Sequence, residues 1–262
     1  MEDCPDEGAM ELAGRVALVT GASGGIGSAI ARACAGRGAA VAVHYYRNAE
    51  TARRLADDIL QAGGRALPVQ ADVSNPDDVR RMMEAVQRTF GRVDILVNNA
   101  APSHLFDPAV QPRLEEVDWS AFQMHLDGTL KAAWLCCQAV LPGMRERGFG
   151  RIISILTNLI FNPEAVYHAY TAAKSSLLGF SRTLAAEVGP WGVTVNMIAP
   201  GLIAETGLSA HHRAEAIAEV AGRTPLRRVG RAEDIADAVV FFASASFVTG
   251  ACLVVDGGLT MR

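Results

Sequence analysis

Lysine is nearly missing from this chain. Of 24 basic residues only Lys131 and Lys174 are lysine, and the remainder are arginine. Where any positive charge suffices the sequence uses Arg, so each surviving Lys marks a place to ask whether a compact ammonium is needed. Cysteine is sparse and unpaired in pattern. The five residues Cys4, Cys34, Cys136, Cys137 and Cys252 are odd in number and form no Cys-x-x-Cys or Cys/His cluster. That spacing excludes a disulfide framework and a zinc site and implies free thiols in a reducing compartment, with no metal expected. No basic start followed by an apolar run marks a signal peptide. No charge-free apolar stretch approaches the roughly 20 residues that span a bilayer. No basic block or basic–aromatic alternation suggests nucleic-acid binding. These absences predict a cytoplasmic protein with neither a membrane nor a nucleic-acid partner. Repeats and low-complexity linkers are absent too, which excludes a solenoid or a string of domains.

What remains is a 262-residue chain, half hydrophobic and one-fifth charged, with a net charge of −4. The charge is uneven. Residues 1–11 carry Glu2, Asp3, Asp6, Glu7 and Glu11 with no base, which predicts an acidic, solvated tail. Residues 12–262 are expected to form one domain. Short apolar runs alternate with longer helical patterns: Val16–Val19, Val41–Val43, Ala66–Val69, Asp94–Val97, Arg151–Ile155, Val193–Ile198 and Cys252–Val255. Runs without polar alternation are strands buried on both faces. Strand–helix alternation over this length predicts an α/β, single-domain Rossmann fold, a doubly wound parallel sheet of about seven strands with helices on both faces.

The first strand runs into Thr20-Gly21-Ala22-Ser23-Gly24-Gly25-Ile26-Gly27 and then a helix. Glycines there let backbone approach a pyrophosphate, and the helix N-terminus offers unpaired N–H groups. A tight turn without a ligand would use the same residues; the position after the first strand favours a dinucleotide. The second strand ends His44-Tyr45-Tyr46-Arg47-Asn48, with no carboxylate before Glu50. A carboxylate at that end would hold a ribose 2′-hydroxyl, whereas Arg47 suits a 2′-phosphate. NADP(H) is therefore preferred and NAD(H) stays open, as does a merely solvated Arg47. Asp72-Val73 and Asn98-Asn99-Ala100 end the next two strands, where ligand groups collect.

Tyr170 and Lys174 are four residues apart and so share one helical face. A phenol titrates too high for neutral acid–base work. A cation about 4 Å away is worth roughly 4 kcal/mol at an effective dielectric of about 20, enough to draw the phenol toward neutrality. Thr157, just past the strand Arg151–Ile155, is a candidate to bind a substrate oxygen, although alone it would read as a cap residue.

With these residues in view the chain resembles the short-chain dehydrogenase/reductase family over its full length. Thr20–Gly27 is similar to the family's TGxxxGxG, Asn98–Ala101 to NNAG, Tyr170–Lys174 to YxxxK, Asn196–Gly201 to N-x-x-x-P-G, and Asp256-Gly257-Gly258 to its usual C-terminal end. The resemblance implies Tyr170 as acid/base, Lys174 as its partner and ribose anchor, and Thr157 at the substrate-binding serine. It implies Pro200, Gly201 and Ile203 against the nicotinamide. It also implies a carbonyl or secondary-alcohol substrate, with 3-oxoacyl chains one candidate, and a homo-oligomer, a tetramer or dimer, through helices near 115–140 and 170–188. His104, Phe106, Asn158 to Asn162 and the segment after Gly201 would shape the pocket. Thr129 departs from the pattern, because the family has an Asn there that holds a proton-relay water. That departure supports an alternative, a nucleotide-binding regulatory or assembly protein with weak turnover.

Overall fold

A computed structural model describes residues 11–102, 110–204 and 214–261. The seven apolar runs are seven strands: β1 (Val16–Val19), β2 (Ala40–Tyr45), β3 (Arg65–Gln70), β4 (Ile95–Asn98), β5 (Gly150–Ile155), β6 (Val193–Pro200) and β7 (Cys252–Val255). All pair in parallel, in the order β3-β2-β1-β4-β5-β6-β7. Parallel pairing requires a crossover between neighbours. The crossovers hold α1 (Gly25–Gly36), α2 (Ala49–Gln61), α3 (Pro76–Phe90), α4 (Trp119–Leu126), α5 (Ala132–Arg147), α6 (His168–Val188), α7 (Ala214–Arg223) and α8 (Ala232–Ser244).

Alternate strand residues face opposite sides of the sheet, and each side has its own core. Ala17, Val19, Val41, Val43 and Ile153 pack against α1, α2 and α8 through Ile30, Leu55 and Val239. Leu18, Ala42, Leu96 and Ile152 pack against α3, α5 and α6 through Met82, Met144 and Leu184. The sequence at the ends of α3 shows why it stops where it does. Asn75 caps the start by accepting from the Asp77 and Asp78 amides, and Gly91 ends it in a left-handed conformation (φ 78°).

The chain winds one way from β1 to β3, then restarts at β4 on the other side of β1. That reversal opens a crevice at the carboxyl ends of β1 and β4, the usual ligand site of such sheets. Glu11, assigned above to the solvated tail, is tied to the body. Its carboxylate accepts from Arg37 (3.2 Å) and Ser244 (2.9 Å), and Leu12 beside it is buried. The rest of that tail, residues 1–10, lies outside the described residues.

Candidate active site

The glycine turn after β1 is held from three sides. Gly21 adopts φ 65°, a left-handed conformation that favours glycine. Its amide donates to Nδ1 of His44 (2.9 Å), while Nε2 of the same ring faces the Ala71 carbonyl (3.1 Å). Nδ1 accepts, so the proton belongs on Nε2, and burial pushes the His44 pKa down to about 4. The Thr20 hydroxyl donates to the Val97 carbonyl and accepts from the Asn99 and Ala100 amides. The Asn99 carboxamide donates to the Thr20 and Gly21 carbonyls. Asn99 thus braces the turn. Asn98 points inward, to Ser154 (3.4 Å). Gly27 is demanded by packing, since a Cβ there would lie 2.8 Å from both Ala22 Cα and Asn99 Nδ2.

This turn fits a dinucleotide pyrophosphate on one structural ground besides its glycines. Gly24 begins α1 without a side-chain cap. The amides of Gly25, Ile26 and Gly27 therefore have no capping side chain competing for them, and with the helix dipole they are suited to seat an anion. Ser23 lies within this turn. At the end of β2, Tyr46, Arg47 and Asn48 are exposed, and the Arg47 guanidinium lies 4.8 Å over the Tyr46 ring. Glu50 pairs instead with Arg54 (3.0 Å), so no described carboxylate takes up Arg47. Asp72 spends one carboxylate oxygen on the amide and hydroxyl of Ser74, and Val73 is buried beside it.

One cleft of about 180 Å³ brings together Thr157, Tyr170, Lys174, Ile26, Asn99 and the Pro200–Ile203 strip. Asn158, Leu159 and Asn162 also line it, while His104 and Phe106 lie outside the described residues. Tyr170 and Lys174 both line the cleft from α6, on one face as their spacing predicts, and both are buried. Tyr170 is hydrogen-bonded to the Thr157 side chain, and Lys174 Nζ donates to the Ile155 carbonyl (2.6 Å). Gly201 is needed where β6 leaves the sheet, because a Cβ there would lie 2.6 Å from that of Asp256. Asp256 in turn accepts from Asn158 (3.1 Å), which ties the cleft floor to the C-terminal segment.

The ionisation of the pair differs from the sequence expectation. Burial pushes Tyr170 up to about 12, against the opposing pull of the Thr157 hydrogen bond. Burial also pushes Lys174 down to about 8. Desolvation outweighs the attraction that spacing alone suggests. The phenol is therefore held protonated at neutral pH.

Thr129 is not in this cleft. Residues Asp127–Lys131 form a π-helical turn between α4 and α5. Thr129, buried on it, lines a separate cavity of about 10 Å³ with Thr20 and Asn98, room for about one water molecule. Gly128 beside it is fixed by packing, since a Cβ there would lie 2.7 Å from Pro102 Cδ.

Two features escaped the sequence reading. Val166, in the loop between Thr157 and Tyr170, has φ 65°, a strained conformation for a β-branched residue. His125 on α4 is buried with its ring edge-on to Tyr170 (centroids 6.0 Å apart, 85° between planes). Its one sequence signal is that it stands four residues before Thr129. Among the described residues no cluster could hold a metal, and no helix is long and apolar enough to cross a membrane.

Residues 21–260 match the family described as enoyl-(acyl carrier protein) reductase. The chain is a short-chain dehydrogenase/reductase. It is 38% identical over 255 residues to a 3-oxoacyl-[acyl-carrier-protein] reductase of Synechocystis, covering 95% of this chain and 98% of the relative. It is 40% identical over 251 residues to a cis-4-hydroxycyclohexanecarboxylate dehydrogenase of Sinomonas cyclohexanicum, covering 95% and 98%. A dehydrogenase/reductase from Sinorhizobium meliloti shares the fold with TM-score 0.86 and 35% identity, over 97% of this chain and 98% of that one. This short-chain dehydrogenase/reductase is therefore an oxidoreductase acting on CH–OH groups.

Proposed function

We propose that this enzyme is an NADP(H)-dependent ketoreductase that interconverts a ketone and its secondary alcohol. The observation that carries this is the convergence of Thr157, Tyr170 and Lys174 in one cleft beside the uncapped start of α1. The names of the two curated relatives, a 3-oxoacyl-[acyl-carrier-protein] reductase and a cis-4-hydroxycyclohexanecarboxylate dehydrogenase, support a ketone–alcohol pair. The cleft walls suit an apolar body around that carbonyl, with Leu156, Leu159, Leu202, Val220 and Leu259 among them.

Gly21, Ser23, Gly24, Gly25, Ile26 and Gly27 would seat the pyrophosphate, and Asp72, Val73, Asn99 and Ala100 would border the adenosine half. Tyr46, Arg47 and Asn48 would meet the 2′-phosphate, with Arg47 carrying the preference for NADP over NAD. Lys174 would hold the ribose, and Pro200, Gly201 and Ile203 would flank the nicotinamide. That ring, when bound, supplies or accepts the hydride. The remaining chemistry belongs to the chain. Thr157 hydrogen-bonds the carbonyl oxygen, and Tyr170 donates its proton to that oxygen as the carbon is reduced. A phenol held near 12 keeps its proton at neutral pH, so the donor is present for reduction, although burial makes it a weaker acid than a free phenol. The reverse reaction needs the tyrosinate and is expected to quicken as pH rises. The exposed Trp134 on α5 supports self-association through that helix.

A panel of 3-oxoacyl thioesters and cyclic ketones, read with NADPH and with NADH, tests the proposal. The expected result is NADPH oxidation with at least one ketone, at kcat/KM at least tenfold above NADH. No turnover with either cofactor across the panel would refute it.

A further inference from the structure

Among the described residues the charged side chains lining the cleft are Lys174, Glu164 and Arg223. Lys174 is buried and donates to the Ile155 carbonyl. Glu164 and Arg223 are exposed, the first in the loop between β5 and α6, the second in the last turn of α7. Neither has a hydrogen-bond or ion-pair partner among the described residues. An arginine in the last turn of a helix ordinarily serves the open carbonyls there. Here other side chains do so. Arg227 donates to the Gly222 carbonyl, and the Thr224 hydroxyl donates to the Val220 carbonyl (2.8 Å). Arg228 is held by Asp234 (2.6 Å). Arg223 is thus left with its guanidinium uncommitted on the wall of the cleft. Val220, three residues earlier and so on the same helical face, lines that wall too. One face of α7 therefore offers an apolar side chain and then a cation to the space that Thr157 and Tyr170 share.

We propose that Arg223 is a specificity-determining residue that binds a carboxylate on the substrate, so that the enzyme acts on oxo acids in which an apolar frame separates ketone from carboxylate. The planar fork of a guanidinium matches a carboxylate with two parallel N–H bonds. Glu164 on the same cleft favours a singly charged group, because its repulsion bears harder on a phosphoryl group, which carries about two charges. Thr157 and Tyr170 take the carbonyl oxygen, Val220 and Leu259 flank the frame, and Arg223 holds the far end.

This rests on the ketoreductase reading, and two experiments keep the two separable. The first is turnover with NADPH of methyl ketones ending in a carboxylate, from oxohexanoate to oxodecanoate, each beside its methyl ester. The best acid is expected to exceed its ester about tenfold or more in kcat/KM. Arg223→Gln should bring that ratio near one, chiefly through KM of the acid. Glu164→Gln should raise it, and added salt should lower it in the wild type. A wild type that reduces ketones without favouring any acid, or a ratio that survives in folded Arg223→Gln, would overturn the proposal. Equal losses on acid and ester in both variants would overturn it too, since that pattern marks Glu164 and Arg223 closing on each other. The second experiment needs no turnover: calorimetric titration of the NADPH complex with octanoate and with octanamide. Octanoate should bind about tenfold tighter in the wild type and lose that advantage in Arg223→Gln. Equal binding of the two by the wild type would overturn the proposal. A wild type that prefers octanoate yet reduces no ketone would refute the ketoreductase reading and leave the carboxylate site standing.

Discussion

In the proposed NADP(H) enzyme, Arg47 would carry the cofactor preference almost alone. Its guanidinium stacks on Tyr46, and no described carboxylate competes for it. Arg47→Ala is expected to raise KM for NADPH about tenfold and leave KM for NADH nearly unchanged, since a charge-assisted bond of about 1.5–3 kcal/mol is lost only with the phosphorylated cofactor. Initial-rate measurements with both cofactors check this, and equal losses would remove Arg47 from the site. Tyr170 shows what spacing conveys and what it omits. The interval of four places the phenol and ammonium on one face, as observed. It says nothing of burial, and burial decides the ionisation, moving the phenol up and the ammonium down.

At the scale of elements, the seven strands were legible because a strand buried on both faces writes an unbroken apolar run. Their order follows from the crossover rule and the reversal at β4. The α1 turn was legible because Gly21 and Gly27 occupy places where a side chain is strained or obstructed. The π turn and the edge-on placement of His125 were not legible, because both depend on how α4 seats on α6, a long-range packing that no local pattern encodes. The strain at Val166 was hidden for the same reason: nothing in a valine announces a positive φ. Relief of that strain is expected to outweigh the added chain entropy of glycine. Val166→Gly should therefore gain about 1 kcal/mol, a rise of roughly 2–4 °C in melting temperature for a chain of this size. Calorimetry checks the sign, and a lower melting temperature would mean that Val166 contributes packing that exceeds its strain. Activity in the same variant is expected to fall, because the loop that carries Tyr167 toward the cleft is then less constrained.

For the whole molecule, the two cores on either face of the sheet leave the crevice at β1 and β4 as the working end, and His44 links that end to global stability. Its folded pKa is about 4 against an ordinary 6.5. Between those values the unfolded chain binds the proton and the folded chain refuses it, so stability present above about pH 6.5 is lost as pH falls toward 4. The full loss is about 3 kcal/mol at 1.36 kcal/mol per pKa unit. Wild-type melting temperature should drop across that window, and His44→Leu, less stable at neutral pH, should show a shallower drop. Parallel acid profiles for the two would show that His44 is not the group responsible. In the proposed reaction this cleft couples hydride transfer to proton donation by Tyr170. Its most direct test is a single-turnover measurement of NADPH oxidation by wild type and Tyr170→Phe, with NADPH affinity measured on both. Tyr170→Phe is expected to bind NADPH with wild-type affinity and to transfer hydride about 10²–10⁴-fold more slowly. Transfer at the wild-type rate would contradict it.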